Sequence, residues 1–115
     1  MANTFKVITK AGITTADVIF TVAGSTTTVI LGLIIGNTTS SSINATVTLG
    51  SDTGSRAGAN NEDNETVELI TSTPIPGNST LELLAGNKVV METTDTLSVT
   101  GSGAVDVALS IMEIT

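Results

Sequence analysis

From Ile43 to Leu49 the chain alternates without a fault: Ile43, Ala45, Val47 and Leu49 are apolar, while Asn44, Thr46 and Thr48 are polar. That period of two predicts a strand with one buried and one wet face. Residues 17–22 carry the same rhythm, and Val105, Val107, Leu109 and Ile111 extend it into a long last strand reaching Ile114. The stretch 27–35, Thr-Thr-Val-Ile-Leu-Gly-Leu-Ile-Ile, is different because it is apolar at both parities. Val29, Leu31, Leu33 and Ile35 would share one face, and Ile30, Gly32 and Ile34 the other. Such a run predicts a strand in mid-sheet, buried on both faces. A glycine inside it implies a bulge or the close approach of another group. The run is too short for a membrane helix, which needs about 20 apolar residues.

Turn chemistry divides the rest. Ala23-Gly24-Ser25 ends the first alternating segment, and the polar stretch 36–42 predicts antiparallel pairing of 27–35 with 43–49. Residues 50–64 form the longest loop, rich in Gly, Asn and Asp, where mobility or partner contact is expected. A strand over 66–73 runs into Pro74-Ile75-Pro76-Gly77-Asn78, the mark of an edge or of a crossover between sheets. Another strand at 80–84 meets Gly86-Asn87, which predicts a tight turn into 89–91. Thr93-Thr94-Asp95 turns the chain into 97–99, and Gly101-Ser102-Gly103 predicts a hairpin into the last strand. No helical period is present. The expected fold is all-β, an antiparallel β-sandwich of jelly-roll or Ig-like type with about seven to eight strands. Residues 1–16 read as an N-terminal arm, either a first strand or an extension docking on a neighbouring subunit, and 17–115 as a single sandwich domain.

Composition narrows the function more than the fold. The 115 residues contain no His and no Cys, which removes the commonest general base, thiol chemistry and the usual transition-metal ligands. No enzyme activity, cofactor or metal is expected. Four basic against eleven acidic residues give a net charge of −7. With no Trp or Tyr and two Phe, the chain has neither the cations nor the stacking groups for nucleic acid, and an anionic membrane would repel it. The missing Trp and Tyr also count against a carbohydrate- or surface-binding module for host attachment. Ser and Thr make up roughly three residues in ten, a composition suited to the solvent faces of strands. The opening Met-Ala-Asn-Thr-Phe-Lys has no charged-then-apolar signal pattern, so synthesis in a cytoplasm without general export is expected.

Few local patterns suggest chemistry. Asp52, Glu62, Asp63, Glu65 and Glu68 gather hard oxygen ligands around a Gly-rich loop, but without calcium-loop spacing they read as a solvated acidic loop. Glu92 and Asp95 resemble a carboxylate pair, although an Asp at a turn ordinarily caps its own backbone. Gly101-Ser102-Gly103 lacks the third glycine of a dinucleotide fingerprint. Four Asn-x-Ser/Thr tripeptides begin at Asn37, Asn44, Asn64 and Asn78, as chance allows in so Ser- and Thr-rich a chain. The Thr-x-Thr phrases at 46–48, 71–73 and 94–96 follow no fixed repeat, so no flat Thr ladder of the ice-binding kind is expected.

Met-Ala-Asn-Thr-Phe-Lys at the start, Thr-Thr-Val-Ile-Leu-Gly-Leu-Ile-Ile-Gly-Asn-Thr-Thr over 27–39, Pro-Ile-Pro-Gly-Asn-Ser-Thr-Leu over 74–81, Val-Val-Met-Glu-Thr-Thr-Asp-Thr-Leu-Ser-Val over 89–99 and Val-Ala-Leu-Ser-Ile-Met-Glu-Ile over 107–114 form one set. In strand rhythm and turn phrases, over nearly the full length, they resemble small virion structural proteins of tailed bacteriophages, especially those of marine bacteria and cyanobacteria. The resemblance implies a structural role without catalytic residues: a capsid decoration (cement) protein, or a neck, tail or fibre-associated component. It implies a protein assembled into virions in a host cytoplasm, bound to the major capsid protein or another virion protein, and a homo-oligomer with a trimer favoured. Phe5, Lys6, Val7 and Lys10 of the arm are the expected interface residues, and the 50–64 loop the exposed, adaptable element.

Overall fold

A computed structural model describes residues 2–51, 65–84, 86 and 88–115. Within them lie nine strands and no helix: β1 (Asn3–Ile13), β2 (Asp17–Thr21), β3 (Thr27–Asn37), β4 (Ile43–Ser51), β5 (Glu65–Ile75), β6 (Thr80–Leu83), β7 (Val89–Met91), β8 (Thr96–Gly101) and β9 (Val105–Ile114). They form two antiparallel sheets. One has the order β1-β9-β3-β6 with β7 also on β3, and the other β2-β8-β4-β5.

The pairing is nested. β1 lies on β9, β2 on β8, β3 on β6 and β7, and β4 on β5, as in one long folded-back ribbon. The ribbon rolls up because β9 also pairs with β3 and β8 also pairs with β4. That is a jelly roll, one of the two sandwich types expected. The nine strands occupy eight lanes, since β6 and β7 follow one another along the same side of β3, at Leu33–Gly36 and then Thr28–Ile30.

The turns are where sequence and structure part. β3 does not pair with β4, because Asn37 to Ile43 carries the chain from one sheet to the other. Gly86-Asn87 does not make a β6–β7 hairpin, because the two strands are collinear; Asn87 itself lies outside the described residues. Gly101-Ser102-Gly103 is an arch between sheets, tied down where the Ser102 N–H donates to the Asn44 carbonyl at 2.9 Å and the Asn44 N–H to Ser102 Oγ at 2.8 Å. A reversal signal states that the chain turns back. It does not state whether the returning strand joins the same sheet or the opposite one. The Pro74–Pro76 segment is a crossover, leaving the edge strand β5 for β6 in the other sheet.

Between the sheets lies a core of Ile30, Leu33, Ile35, Met91, Leu109 and Ile111 from one side and Ala45, Val47, Ile75, Leu97 and Val99 from the other, all at 1% exposure or less. Each such Leu or Ile contributes about 1.5–3 kcal/mol by burial. β3 reaches this core with a switch of parity. Ile30 pairs with Ile111 and Gly32 with Ser110, so Leu31 is the extra residue of a bulge. Before it Thr28 and Ile30 are buried, and after it Leu33 and Ile35. β3 is central in its sheet, as its composition predicts, yet it is not buried on both faces: Ile34 is 45% exposed. A Cβ on Gly32 would meet nothing within 4 Å, so this glycine serves the bulge and accommodates no close neighbour.

A polar junction closes one end of the sandwich. Asn37, buried, donates through Nδ2 to the carbonyls of Ser41 (2.8 Å), Ile75 (3.0 Å) and Pro76 (3.2 Å). Its Oδ1 accepts from the Thr39 N–H (2.9 Å) and Thr39 Oγ1 (2.7 Å). Gly77 sits against this loop so closely that a Cβ there would collide with the Ser40 backbone.

Candidate interaction surface

The outer face of the five-stranded sheet is built from the strand positions whose neighbours point into the core. Its residues fall into cross-strand rows, because directly paired residues share a face. One row runs Phe5–Met112–Val29–Val90 across β1, β9, β3 and β7. The next is Val7–Ser110–Gly32, followed by Thr9–Ala108–Ile34–Glu82 and then Asp106–Gly36–Thr80. Phe5 is 70% exposed, Val7 64% and Val90 57%. Among these rows the only charges are Glu82 and Asp106, both toward the end away from Phe5, and Asp106 Oδ1 accepts the Gly12 N–H at 2.9 Å. Ordinary monomers carry scattered exposed apolar side chains. A row of four crossing a whole sheet is the candidate interaction surface.

The four interface residues expected from sequence divide between the two faces of β1. Phe5 and Val7 belong to the outer face. Lys6 and Lys10 pair with Ile111 and Val107, whose side chains face the core, and so flank the inner side of the edge strand. Lys6 Nζ makes an ion pair with Glu113 Oε1 at 2.7 Å, with the lysine side chain 53% exposed. An exposed pair of this sort is worth about 0–1 kcal/mol. Lysines on an edge strand discourage the addition of a further strand. The edge is therefore guarded by charge while the face beside it is apolar.

Val29, Ile34, Val90 and Met112 complete the surface and escape sequence reasoning. For Val29 and Ile34 the signal is that 27–35 is apolar at both parities, which sequence alone assigns to burial on both faces. The bulge at Leu31 puts Val29 before it and Ile34 after it on the outer face, although the two are of opposite parity.

The opposite sheet presents a different exterior. Its rows are Val18–Ser98–Thr48–Glu68, Thr21–Thr96–Gly50–Thr66 and Thr100–Thr46. The β4–β8 pairing thus brings Thr46 beside Thr100 and Thr48 beside Ser98, a short mixed Thr/Ser patch that the spacing in sequence does not reveal.

The remaining candidates resolve locally. Asp95, fully buried, accepts the Glu92 N–H on Oδ2 at 3.0 Å, and its own N–H donates to the Glu92 carbonyl at 3.0 Å, so it caps its turn. The turn is clamped to the end of β2 by Val22 N–H to the Asp95 carbonyl (3.0 Å) and Thr94 N–H to the Val22 carbonyl (3.1 Å). Asp52, Glu62, Asp63 and Asn64 lie outside the described residues, as does most of the 50–64 loop. Glu65 and Glu68 are on β5, where Glu68 Oε1 accepts from Thr71 Oγ1. Among the described residues no three His, Cys, Asp or Glu side chains gather as a metal site. Of the Asn-x-Ser/Thr tripeptides, Asn37 is the buried junction residue and Asn78 sits in a turn with φ of 57°.

No protein-family model matches the sequence, and no curated protein does. Among solved structures, one of Bacillus endospore appendages, described as forming "a novel family of disulfide-linked pili", superposes with a TM-score of 0.49 at 16% identity, covering 97% of this chain and 84% of that one.

Proposed function

We propose that this chain is a non-enzymatic structural subunit of a virus particle, specifically a decoration (cement) protein bound to the head of a tailed bacteriophage. The observation that carries the reading is the apolar row Phe5–Met112–Val29–Val90 on the outside of an otherwise conventional jelly roll. A surface of that kind is covered in use. A decoration protein works by burying the same area many times over a shell, so that each bound copy stabilises the assembled state by mass action. The absence of His and Cys and the virion-type phrases along the chain support the same reading. The jelly roll itself does not choose, since capsid and lectin domains share it.

Quantitative mass spectrometry of purified virions tests the assignment. A copy number comparable with the major capsid protein is the expected result. A copy number near that of the portal moves the chain to the neck or tail, and its absence from the particle ends the virion reading. Phe5→Lys with Val7→Lys, which keeps β1 in its sheet where deleting residues 2–10 would remove an edge strand, is expected to lower occupancy on the head; full occupancy would show that this face is not needed for head binding.

A further inference from the structure

We infer that the outer face of the five-stranded sheet pairs with the same face of a second copy of this chain, about a two-fold axis running along the strands between β9 and β3. The inference rests on reading that face as an interface, and it gives the face to a second copy, so that the head is met by the rest of the pair's surface.

The face is self-complementary about that axis, which passes through the middle of the four lanes β1, β9, β3 and β6/β7. Rotation places β1 over the second copy's β6/β7 lane and β9 over its β3. Phe5 then meets Val90 of the other copy, Met112 meets Val29, Ser110 meets Gly32 and Ala108 meets Ile34. Large side chains oppose small ones in three of these four pairs, and Gly32, with open space above its Cα, leaves a depression on the axis. The acids are kept apart as well, since Glu82 comes over Thr9 and Asp106 over Gly36. Each molecule carries −7, and two such molecules approach at least cost through a face whose only acids meet uncharged positions.

Area agrees with this pairing. Four lanes about 4.8 Å apart and about 11 residues long, at ~3.3 Å per residue, give a face of roughly 700 Å². A standard stable interface takes about 800 Å² per partner. Twisted sheets stack face to face with strands within about 30° of one another, the relation this axis produces. The competing mode, β1 adding to β1 edge to edge, brings Lys6 and Lys10 of two copies together and leaves the apolar rows in water.

Light scattering of the purified full chain after size exclusion, over a concentration series, tests the pairing. Wild type is expected at the mass of two copies. Val90→Glu places a carboxylate opposite Phe5 and is expected to weaken pairing roughly 100-fold or more, with the far-UV circular dichroism retained. Phe5→Lys alone is expected to weaken it too, and Phe5→Lys with Val90→Glu to restore much of the two-copy mass. Phe5 and Val90 stand three lanes apart within one molecule, about 14 Å, so rescue reports a contact between copies. Gly32→Ala, whose Cβ meets nothing within 4 Å in the monomer, is expected to weaken pairing without unfolding. A wild type that runs as one copy or three, a Val90→Glu variant that still pairs, or a double variant no better than the singles overturns the inference. A single-copy protein abundant on the phage head overturns it and leaves the decoration reading intact. A Val90-dependent pair in a protein missing from particles does the reverse.

Discussion

The two sheets of this sandwich share one inner core and differ on the outside. The outer rows of the β2-β8-β4-β5 sheet are Thr and Ser with one Val, one Gly and Glu68, and those of the other sheet are mainly Phe, Val, Met, Ile and Ala, with Ser110, two Thr, two Gly and two acids toward one end. Both obey the period of two that a sandwich strand demands. The second parity of a strand is free to follow whatever it faces, and a Thr exterior is what water selects in a chain this poor in Lys, Glu and Arg. An apolar exterior is what the pairing proposed above would select. Exposure of any one residue would not support that pairing, but the contrast between two faces of one molecule does.

The largest effect comes from removing what holds both faces in place. Leu109, fully buried on β9 and paired with Leu33 and Ile8, is shared by the whole core. Leu109→Ala is expected to cost about 3–4 kcal/mol in urea unfolding and to lower the midpoint at which both faces are lost together, because they share one core. Next comes the end junction. Asn37→Ala strands the carbonyls of Ile75, Pro76 and Ser41 without their donor, and a loss of about 2–3 kcal/mol is expected in the same measurement. A loss below about 1 kcal/mol would mean that solvent reaches this corner.

Much of that frame is legible in the sequence. The alternation over 43–49 and 105–111 turns Ile43, Ala45, Val47, Leu49, Val105, Val107, Leu109 and Ile111 inward; all are buried except Leu49, which is half-buried against the core. Pro74 and Pro76 mark a real crossover. Topology is the part that local signals withhold: Asn37 to Ile43, Thr93 to Asp95 and Gly101 to Gly103 are all good turns, and all three lead into the opposite sheet. The bulge at Leu31 is announced by Gly32 but its consequence is not, since shifting one residue exchanges the faces for everything that follows. The interaction surface is half legible. Phe5 and Val7 stand out in a polar arm, whereas Val29 and Ile34 read as buried because β-branched residues at both parities look the same whether the second layer belongs to this chain or to another molecule.

Making the apolar face resemble its counterpart separates folding from association. Phe5→Thr with Val90→Thr changes two side chains more than half exposed, and the expected change in unfolding free energy is within about 0.5 kcal/mol per site. Association is expected to fall sharply, because these two residues meet across the proposed axis. A large loss of stability with association intact would show that both side chains support the fold of their own chain.

The smallest effect is expected from the reverse exchange, and it is the most informative about cause. Thr48 lies mid-row on the polar face, opposite Ser98 on β8 and Glu68 on β5. Thr48→Val keeps the β-branched shape that suits a strand while replacing a hydroxyl with a methyl. Stability is expected to stay within about 0.5 kcal/mol, and the mass in solution to remain that of wild type. One apolar side chain surrounded by Ser, Thr and Glu has no row to join. Association needs contiguous area, and Val18, half exposed on that same face, has no apolar neighbour in its row to supply it. A mass increase in Thr48→Val would show that the Thr face already stands one methyl from self-association, and the contrast between the faces would then be one of degree.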